Sequence, residues 1–482
     1  MATYVLLAIF VVLQLVIIFG FVILERREPN ATLAWILGVV LLPVLGGMLY
    51  LVLGLRRKVK RSREAERVAV RLRQVYHRWQ VARKARGEGA ARLPARTRAL
   101  VDLGAGAAGS YACAGNAVGL LINGAHTYAA IRVAIEGATD HVHIEFYIIQ
   151  PDETGRALRQ VLVDKAKAGV EVRVLCDGLG SMRLPDDFWA ELVSAGGKAA
   201  VFAPVKIAPM LRRRDHVNFR NHRKIVIVDG IIGLTGGINI GREYLGLDPE
   251  VGEWRDTHVR IEGPAVLGMQ QTFIEDWLHT TDELLDSGRY FPEPSSVAPG
   301  AATVQVIGSG PDRPWAIIHQ LHFLAVVYSQ KRVWLTTPYF VPDRVLQTAL
   351  ITAALRGVDV RLLLPKKSDS RLVDWASRFY FAELLEAGVR IYEYGAGFLH
   401  AKTMVVDSWL ATIGSSNMDI RSFSLNYEIN AFAYDETAAM ALVDQFRSDL
   451  LLAKEVAPGW SEGLSYPRRL LHAFAGLLSP LL

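Results

Sequence analysis

Two stretches of the chain repeat one another in the residues best able to do chemistry: HRKIVIVDGIIGLTGGIN from His222 and HAKTMVVDSWLATIGSSN from His400. In each, a His is followed at matching offsets by Lys (Lys224, Lys402), Asp (Asp229, Asp407) and Asn (Asn239, Asn417). Residues two apart in a strand share a face, so each copy presents an imidazole and an ammonium together. The runs IVIV and TMVV read as strand core. The turns GGIN and GSSN offer backbone N–H groups and an amide, which suits an anion such as phosphate, so Gly237, Ser415, Asn239 and Asn417 are candidate phosphate ligands. A single H-x-K-x4-D is a weak signal, because His and Lys are common on half-buried strands. Two copies at identical offsets are a strong one.

In-line displacement at a phosphodiester needs a nucleophile on one side, an acid for the leaving alkoxide on the other, and positive charge around the nonbridging oxygens. Two imidazoles and two ammoniums supply all three, and the expectation is that no metal or other cofactor takes part. One His attacks phosphorus while the other, protonated, donates to the departing alcohol and then deprotonates the incoming one. Each His also needs a group to hold its second ring nitrogen, and a carboxylate does this. Matching the segments DTHVRI and EINAFA behind the two motifs nominates Asp256 and Glu428. Asp229 and Asp407 follow a strand and precede a turn, a position better suited to organising the loop than to touching substrate.

The paired motifs resemble those of the phospholipase D superfamily, in which two such halves face each other across one active site. HIEFYI from His143, GGINIGREY from Gly236, WRDTHVRIEGPAV from Trp254 and SSNMDIRSFSLNYEIN from Ser415 resemble bacterial cardiolipin synthases over nearly the whole chain. The resemblance implies transfer of a phosphatidyl group between phosphatidylglycerols through a phosphohistidine, with His222 as nucleophile and His400 as acid and base. It implies phosphatidylglycerol, membrane lipids and an anionic bilayer surface as partners. No nucleic acid is expected, and a homo-oligomer is compatible with the sequence. No Walker loop or Rossmann fingerprint is present, as suits an exchange of nearly equal phosphodiesters that requires no nucleotide.

These residues must be held by a duplicated α/β unit, since AGVEVRVL from Ala168 and RGVDVRLL from Arg356 precede their respective motifs. The expected fold is α/β, with two similar phospholipase D-like lobes of mixed sheet flanked by helices, the first at 117–300 and the second at 301–455. The low-complexity stretch PEPSSVAPGAA separates them. Residues 87–116, rich in Gly and Ala, read as a linker. Residues 2–24 and 31–55 carry no charge. Each would make a helix roughly 35 Å long, against a hydrocarbon core of about 30 Å, so residues 1–55 are expected to form a transmembrane helical hairpin.

Residues 56–86 hold 13 Lys or Arg against two Glu, which is +11 and leaves −5 for the rest of a chain of net charge +6. By the positive-inside rule this basic juxtamembrane stretch, continuing through the linker to 116, places the catalytic body in the cytoplasm of a multi-pass protein of the bacterial inner membrane. It would also draw anionic headgroups. The tail 456–482 is apolar after Arg468 and Arg469 and fits equally a membrane-interfacial segment or a cap on the core. Cys113 and Cys176 are the only cysteines, so no disulfide framework is indicated. The pairs His141/His143 and His319/His322 lack a third metal ligand nearby. Other readings stay open on the residues alone: a phospholipase D or phosphatidyltransferase with another donor or alcohol, a membrane-anchored nuclease with a steep salt dependence, or an idle scaffold, against which two complete motifs count.

Overall fold

The apolar runs that precede and follow each motif histidine become neighbours in one continuous sheet in the computed structural model, which describes residues 2–23, 29–50, 67, 70, 74, 78, 93–204, 219–248, 252–292 and 299–479. Of the described residues, those up to Tyr50 belong to one compact unit and those from Arg67 onward to another.

In the N-terminal unit the expected membrane hairpin is not found among the described residues. The first apolar stretch is an α-helix only from Ala2 to Ile17, 16 residues, and changes to a π-helical turn at Ile18–Val22. The second is divided into Pro29–Leu41 and Pro43–Leu49. Pro43 has no N–H to give and its ring excludes the helical conformation for the residue before it, so Leu42 leaves the helix at φ −123°, ψ 69°. Among the described residues no helix is long and apolar enough to cross a membrane. The expectation of two transmembrane helices, and the multi-pass inner-membrane localisation built on it, is therefore corrected. The basic stretch 56–86 lies outside the described residues except for Arg67, Val70, Gln74 and Arg78.

In the body, the first lobe contributes β1 Cys113–Ile122, β2 His141–Phe146, β3 Glu171–Asp177, β4 Lys198–Phe202, β5 Lys224–Val228, β6 Ile232–Gly236, the short β7 Trp254–Arg255 and β8 Thr257–Glu262. The second contributes β9 Ala302–Ser309, β10 Arg332–Thr336, β11 Phe340–Val341, β12 Asp359–Pro365, β13 Arg390–Tyr394, the short β14 Phe398–Leu399, β15 Thr403–Val406, β16 Leu410–Gly414, β17 Met418–Asp419, β18 Glu428–Tyr434 and β19 Ala453–Glu455. Fifteen of them form one sheet in the order β19-β13-β12-β10-β15-β16-β18-β9-β1-β8-β6-β5-β2-β3-β4. Read outward from the central β9–β1 pair, the two halves have the same order, which makes the internal repeat visible as topology. Strands β5 and β15 are buried along their whole length, which is why the residues after each motif Lys are apolar except for Thr403.

The central seam is antiparallel and is held by side chains that bond backbone in both lobes. Asn116 donates to the carbonyls of Cys113 at 2.6 Å and Ala302 at 3.1 Å, and accepts from the Ala265 N–H at 2.9 Å. The residues read as a linker contain the helix Ala95–Ala108, whose Leu100 and Ala108 join the second lobe's core beside Ile307 and Ile317. Its small residues permit this approach: a Cβ on Gly104 would collide with the Gln305 side chain. The first lobe consequently begins at Cys113, ahead of the expected 117.

The tail forms the helix Tyr466–Leu477. Ala475 enters the second lobe's core and His472 stacks on Trp460, while Tyr466, Leu470, Phe474 and Leu477 remain exposed. It caps the lobe with one face and leaves an apolar row on the other.

A bidentate ion pair clamps the lobes. Arg255 of the first donates through Nε to Asp449 Oδ1 and through Nη2 to Oδ2 of the second, both at 2.8 Å and both buried. Removing one member of a buried pair strands the other without solvent or partner, at about 3–5 kcal/mol. Asp449→Ala should therefore lower the urea midpoint by a corresponding amount; an unchanged midpoint would show that the lobes hold together without this clamp.

Candidate active site

Two short backbone ladders between the lobes bring the motif histidines to their partners. In one, Tyr427 donates its N–H to the Arg220 carbonyl and His222 donates to the Tyr427 carbonyl, both at 2.9 Å. The other is the parallel pair β7–β14, continued by the His400 N–H donating to the Arg255 carbonyl at 2.8 Å. The first ladder sets His222, from the first lobe, beside Glu428 of the second. The second sets His400, from the second lobe, beside Asp256 of the first. The sequence nominated both carboxylates; the crossing between lobes is what the structure adds.

His222 Nδ1 lies 3.0 and 3.1 Å from the two Glu428 oxygens, and His400 Nδ1 lies 2.8 Å from Asp256 Oδ2. A carboxylate at Nδ1 fixes the proton there and leaves Nε2 with its lone pair. Both carboxylates are fully buried. Glu428 also accepts from the Ser415 hydroxyl and from Asn426 Nδ2 at 3.3 Å, and Asp256 accepts from the Thr257 N–H at 2.7 Å. Lys224 donates from Nζ to the His222 carbonyl at 2.6 Å, and Lys402 to that of His400. The Lys402 ammonium stands 3.1 Å from His400 Nε2.

Burial dominates the electrostatics. It pushes both imidazoles down to about 4, with the lysines adding to the effect and the carboxylates opposing it. It brings Lys224 down to about 7 and Lys402 to about 8, against the pull of Glu428 and Asp256. Burial alone would raise the two carboxylates, but Lys402 and His400 overcome it at Asp256, and His222 and Lys224 at Glu428, so both sit below their usual range.

His222 and His400 line one cavity of about 1060 Å3, with Asn239, Asn417, Trp254 and Lys366 among its other walls. The remaining predicted residues fall elsewhere. Ser415 backs Glu428 as described, and Gly237 lies so close behind Asp256 that a Cβ would strike its carboxylate; neither forms part of the cavity wall. The Asn239 amide is occupied, accepting from the Ile148 N–H at 3.1 Å and donating to the Tyr244 hydroxyl at 2.9 Å. Asp229 and Asp407 lie outside the cavity with φ of 54° and 53°, a left-handed turn that Asp tolerates. Asp229 accepts from the N–H groups of Thr139, Asp140 and His141, each at 2.9 Å. Asp407 does the same for Gln330, Lys331 and Arg332 at 3.1, 2.7 and 3.0 Å. Each ties the turn after its motif strand to the start of the neighbouring strand.

The sequence reading missed Trp254, whose ring centroid is 5.2 Å from that of His400, and Asn426 beside Glu428. Both had a signal: each stands two residues before a nominated carboxylate, in an extended segment where residues two apart share a face. Tyr147, edge-on to His222 at 5.1 Å, and Tyr339, 6.3 Å from His400, carried none. His141 and His143 are buried behind the sheet, 3.2 and 2.8 Å from the two ends of the Gln270 amide, and Cys113 and Cys176 are buried free thiols.

Comparison with known proteins bears on the whole chain. A family model described as cardiolipin synthase, phospholipase D-like domain, matches residues 131–277 and 326–450, and one described as phospholipase D-nuclease N-terminal matches 6–54. A cardiolipin synthase of Halalkalibacterium halodurans is 40% identical over 97% of this chain and 92% of its own length, and one of Geobacillus thermodenitrificans is 42% identical over 97% and 92%. A major cardiolipin synthase of Bacillus subtilis is 38% identical over 99% of both chains. The crystal structure of a phosphatidylserine synthase from Haemophilus influenzae covers 76% of this chain and 95% of its own with a TM-score of 0.58; at 18% identity the likeness is one of fold.

The depressed imidazoles predict that ring-nitrogen NMR finds His222 and His400 neutral at pH 6 in the unliganded protein, where an ordinary imidazole is mostly protonated. Burial disfavours the cation, so the neutral form persists until the pH falls towards 4. A midpoint near 6.5 for either ring would contradict the buried, desolvated geometry.

Proposed function

The chain belongs to the bacterial cardiolipin synthase family of the phospholipase D superfamily, and we infer from that membership and the paired-histidine cavity how its residues divide the reaction. It transfers a phosphatidyl group from one phosphatidylglycerol to the headgroup hydroxyl of another, giving cardiolipin and glycerol. Phosphatidylglycerol and membrane lipids are its partners. The observation that carries the division of labour is the crossed arrangement itself, two imidazoles lining one cavity, each with a buried carboxylate of the other lobe at Nδ1.

His222 Nε2 attacks phosphorus, and a P–N bond forms as the bond from phosphorus to the headgroup glycerol breaks. His400 in its protonated form gives its proton to the leaving glycerol oxygen. The second phosphatidylglycerol then gives its hydroxyl proton to His400, its oxygen attacks phosphorus, and the P–N bond breaks. Protonating an imidazole that sits near 4 when the site is empty requires an added negative charge, and the substrate phosphodiester brings one. Lys224 and Lys402, buried beside the histidines and outside the cavity wall, act on the same charge through space: once it arrives their ammonium forms are favoured, and they stabilise the pentacoordinate phosphorus most, where negative charge is greatest. Glu428 and Asp256 hold the two rings in orientation, and Asp229 and Asp407 hold the loops that carry them. The basic stretch 56–86 draws the anionic bilayer surface by counter-charge.

The direct test places the purified protein in bilayers of headgroup-labelled phosphatidylglycerol without CTP and follows cardiolipin, glycerol and phosphatidic acid together. Cardiolipin and glycerol should appear in equal amounts, and phosphatidic acid as the main product would make water the acceptor and overturn the transferase reading. His222→Ala and His400→Ala should each lower turnover by about a thousandfold or more in folded protein. Labelled lipid should be trapped on His222; trapping on His400 would reverse the two roles.

A pH profile tests the lysines. Both have pKa values lowered by burial, so their charged form is lost as pH rises through about 7 for Lys224 and about 8 for Lys402. The second-order rate constant for free enzyme and substrate, kcat/KM, already declines above pH 4 as protonated His400 becomes scarce, and should decline more steeply once the pH passes about 7 to 8. A slope unchanged up to pH 10 would remove the ammoniums from the mechanism.

A further inference from the structure

The two halves of the cavity are related by the repeat, yet they differ in one chemical respect that the phosphoryl chemistry leaves unused. Asn417 and Asn426 both line the cavity, at 4% and 8% exposure, and in each the side-chain carbonyl oxygen has no hydrogen-bond partner among the described residues. The orientation of both amides is set from the other end. Asn426 donates its NH2 to Glu428 at 3.3 Å, and the Asn417 side chain lies against the Asp419 carboxyl and favours its ionised form, as an amide NH2 turned towards it does. A donor end held by a carboxylate leaves the oxygen aimed away from it.

The same positions in the first lobe do not behave this way. Asn239, the repeat partner of Asn417, has both ends of its amide occupied by Ile148 and Tyr244. Trp254, which precedes Asp256 by the two residues that separate Asn426 from Glu428, offers no acceptor at all. At these positions only the second lobe leaves two buried acceptors unpartnered at the cavity wall. A buried acceptor without a partner costs about 1–3 kcal/mol unless the ligand supplies a donor, and a phosphoryl oxygen has none to give. A hydroxyl does.

We propose that the Asn417 and Asn426 carbonyl oxygens form a hydroxyl-reading subsite that selects the glycerol headgroup by accepting hydrogen bonds from its hydroxyls. This deepens the transferase reading above and rests on it. Asn417 thereby changes role, from the phosphate ligand that its motif position suggests to a reader of the alcohol. The phosphoenzyme accepts whichever alcohol is held where its oxygen reaches phosphorus with His400 as base. A polyol that satisfies both acceptors is held there, and a monofunctional alcohol of similar size leaves at least one of them unpaired.

The test is a competition for one phosphoenzyme. Full-length protein acts on phosphatidylglycerol vesicles with d5-glycerol and 1-propanol at equal concentration, and mass spectrometry reads the ratio of phosphatidyl-d5-glycerol to phosphatidylpropanol. Because both products arise from the same intermediate, the ratio does not depend on how fast that intermediate forms or how much protein is folded. Wild type should favour glycerol, and Asn426→Ala and Asn417→Ala should each reduce the preference by roughly five- to tenfold, the worth of about one neutral hydrogen bond. If the asparagines serve only to hold Glu428 and Asp419, total turnover falls while the ratio stays at the wild-type value, and the proposal is overturned. A wild-type ratio near one overturns it equally, even with normal cardiolipin formation. Failure of the wild type to make cardiolipin, glycerol ester or propyl ester from phosphatidylglycerol would defeat the transferase reading, and this subsite with it.

Discussion

Neither lobe owns a working histidine. The carboxylate that holds His222 belongs to the second lobe and the one that holds His400 belongs to the first, so the site exists only while both ladders are made and the lobes are docked. Burying a carboxylate and an imidazole together gives little net stability, because the desolvation of both opposes their attraction. What the arrangement supplies is orientation, with each ring fixed by a partner on a separate body and each Nε2 presented to the common cavity. The clamp between Arg255 and Asp449 sits next to Asp256 in sequence, so the interaction that docks the lobes also steadies one of the two carboxylates. Lobe docking and site assembly are one event.

The repeat preserves this device while changing its parts together. Asp256 is one methylene shorter than Glu428, and behind the first stands Gly237 where the second has Ser415. The side chain missing at Gly237 leaves room for the Asp256 carboxylate itself, and the hydroxyl at Ser415 reaches Glu428 as a donor. Two residues beyond each carboxylate, His258 and Asn430 fill equivalent positions. His258 Nδ1 accepts from the Ile238 N–H and Asn430 Oδ1 accepts from the Ser416 N–H, each at 3.3 Å. An imidazole does this only when neutral, and burial holds His258 down at about 3. What the two halves share is the position of an acceptor or a carboxylate, while the residue type around it differs.

This explains how far the sequence could be read. The motif histidines, their lysines and the two carboxylates obey periods that strands impose on sequence, and the shared offset between copies made them stand out. The crossing of partners was not, because a contact between residues 206 apart, such as His222 and Glu428, leaves no trace in local periodicity. Phosphate-ligand roles for Gly237 and Ser415 came from the turn alone, and the turn does not reveal that a carboxylate lies behind it. The N-terminal hairpin failed on a different point: hydropathy counts apolar residues and is blind to whether they stay in one helix. Pro43 divides the second of two runs that are long enough by composition, and the first changes from α- to π-helical at Ile18.

A site of this kind has to choose its acceptor by kinetics. Exchange between two phosphatidylglycerols is nearly balanced in free energy, whereas hydrolysis of the same phosphohistidine runs downhill, so the outcome depends on which oxygen is held against phosphorus with a base beside it. The base is flanked by rings: Trp254, Phe398 and Tyr339 have centroids 5.2, 5.8 and 6.3 Å from that of His400. Such walls lower the density of water around Nε2 and suit the carbon skeleton of a glycerol, while acceptors on the second-lobe side hold its hydroxyls. An enclosed base also strengthens every charge around it, since the lysines lose competing solvent along with the histidine. The burial that depresses the imidazoles and ammoniums in the empty site is therefore the same feature that lets an arriving phosphodiester restore the charge on the proton-donating histidine and the lysines and be held by it.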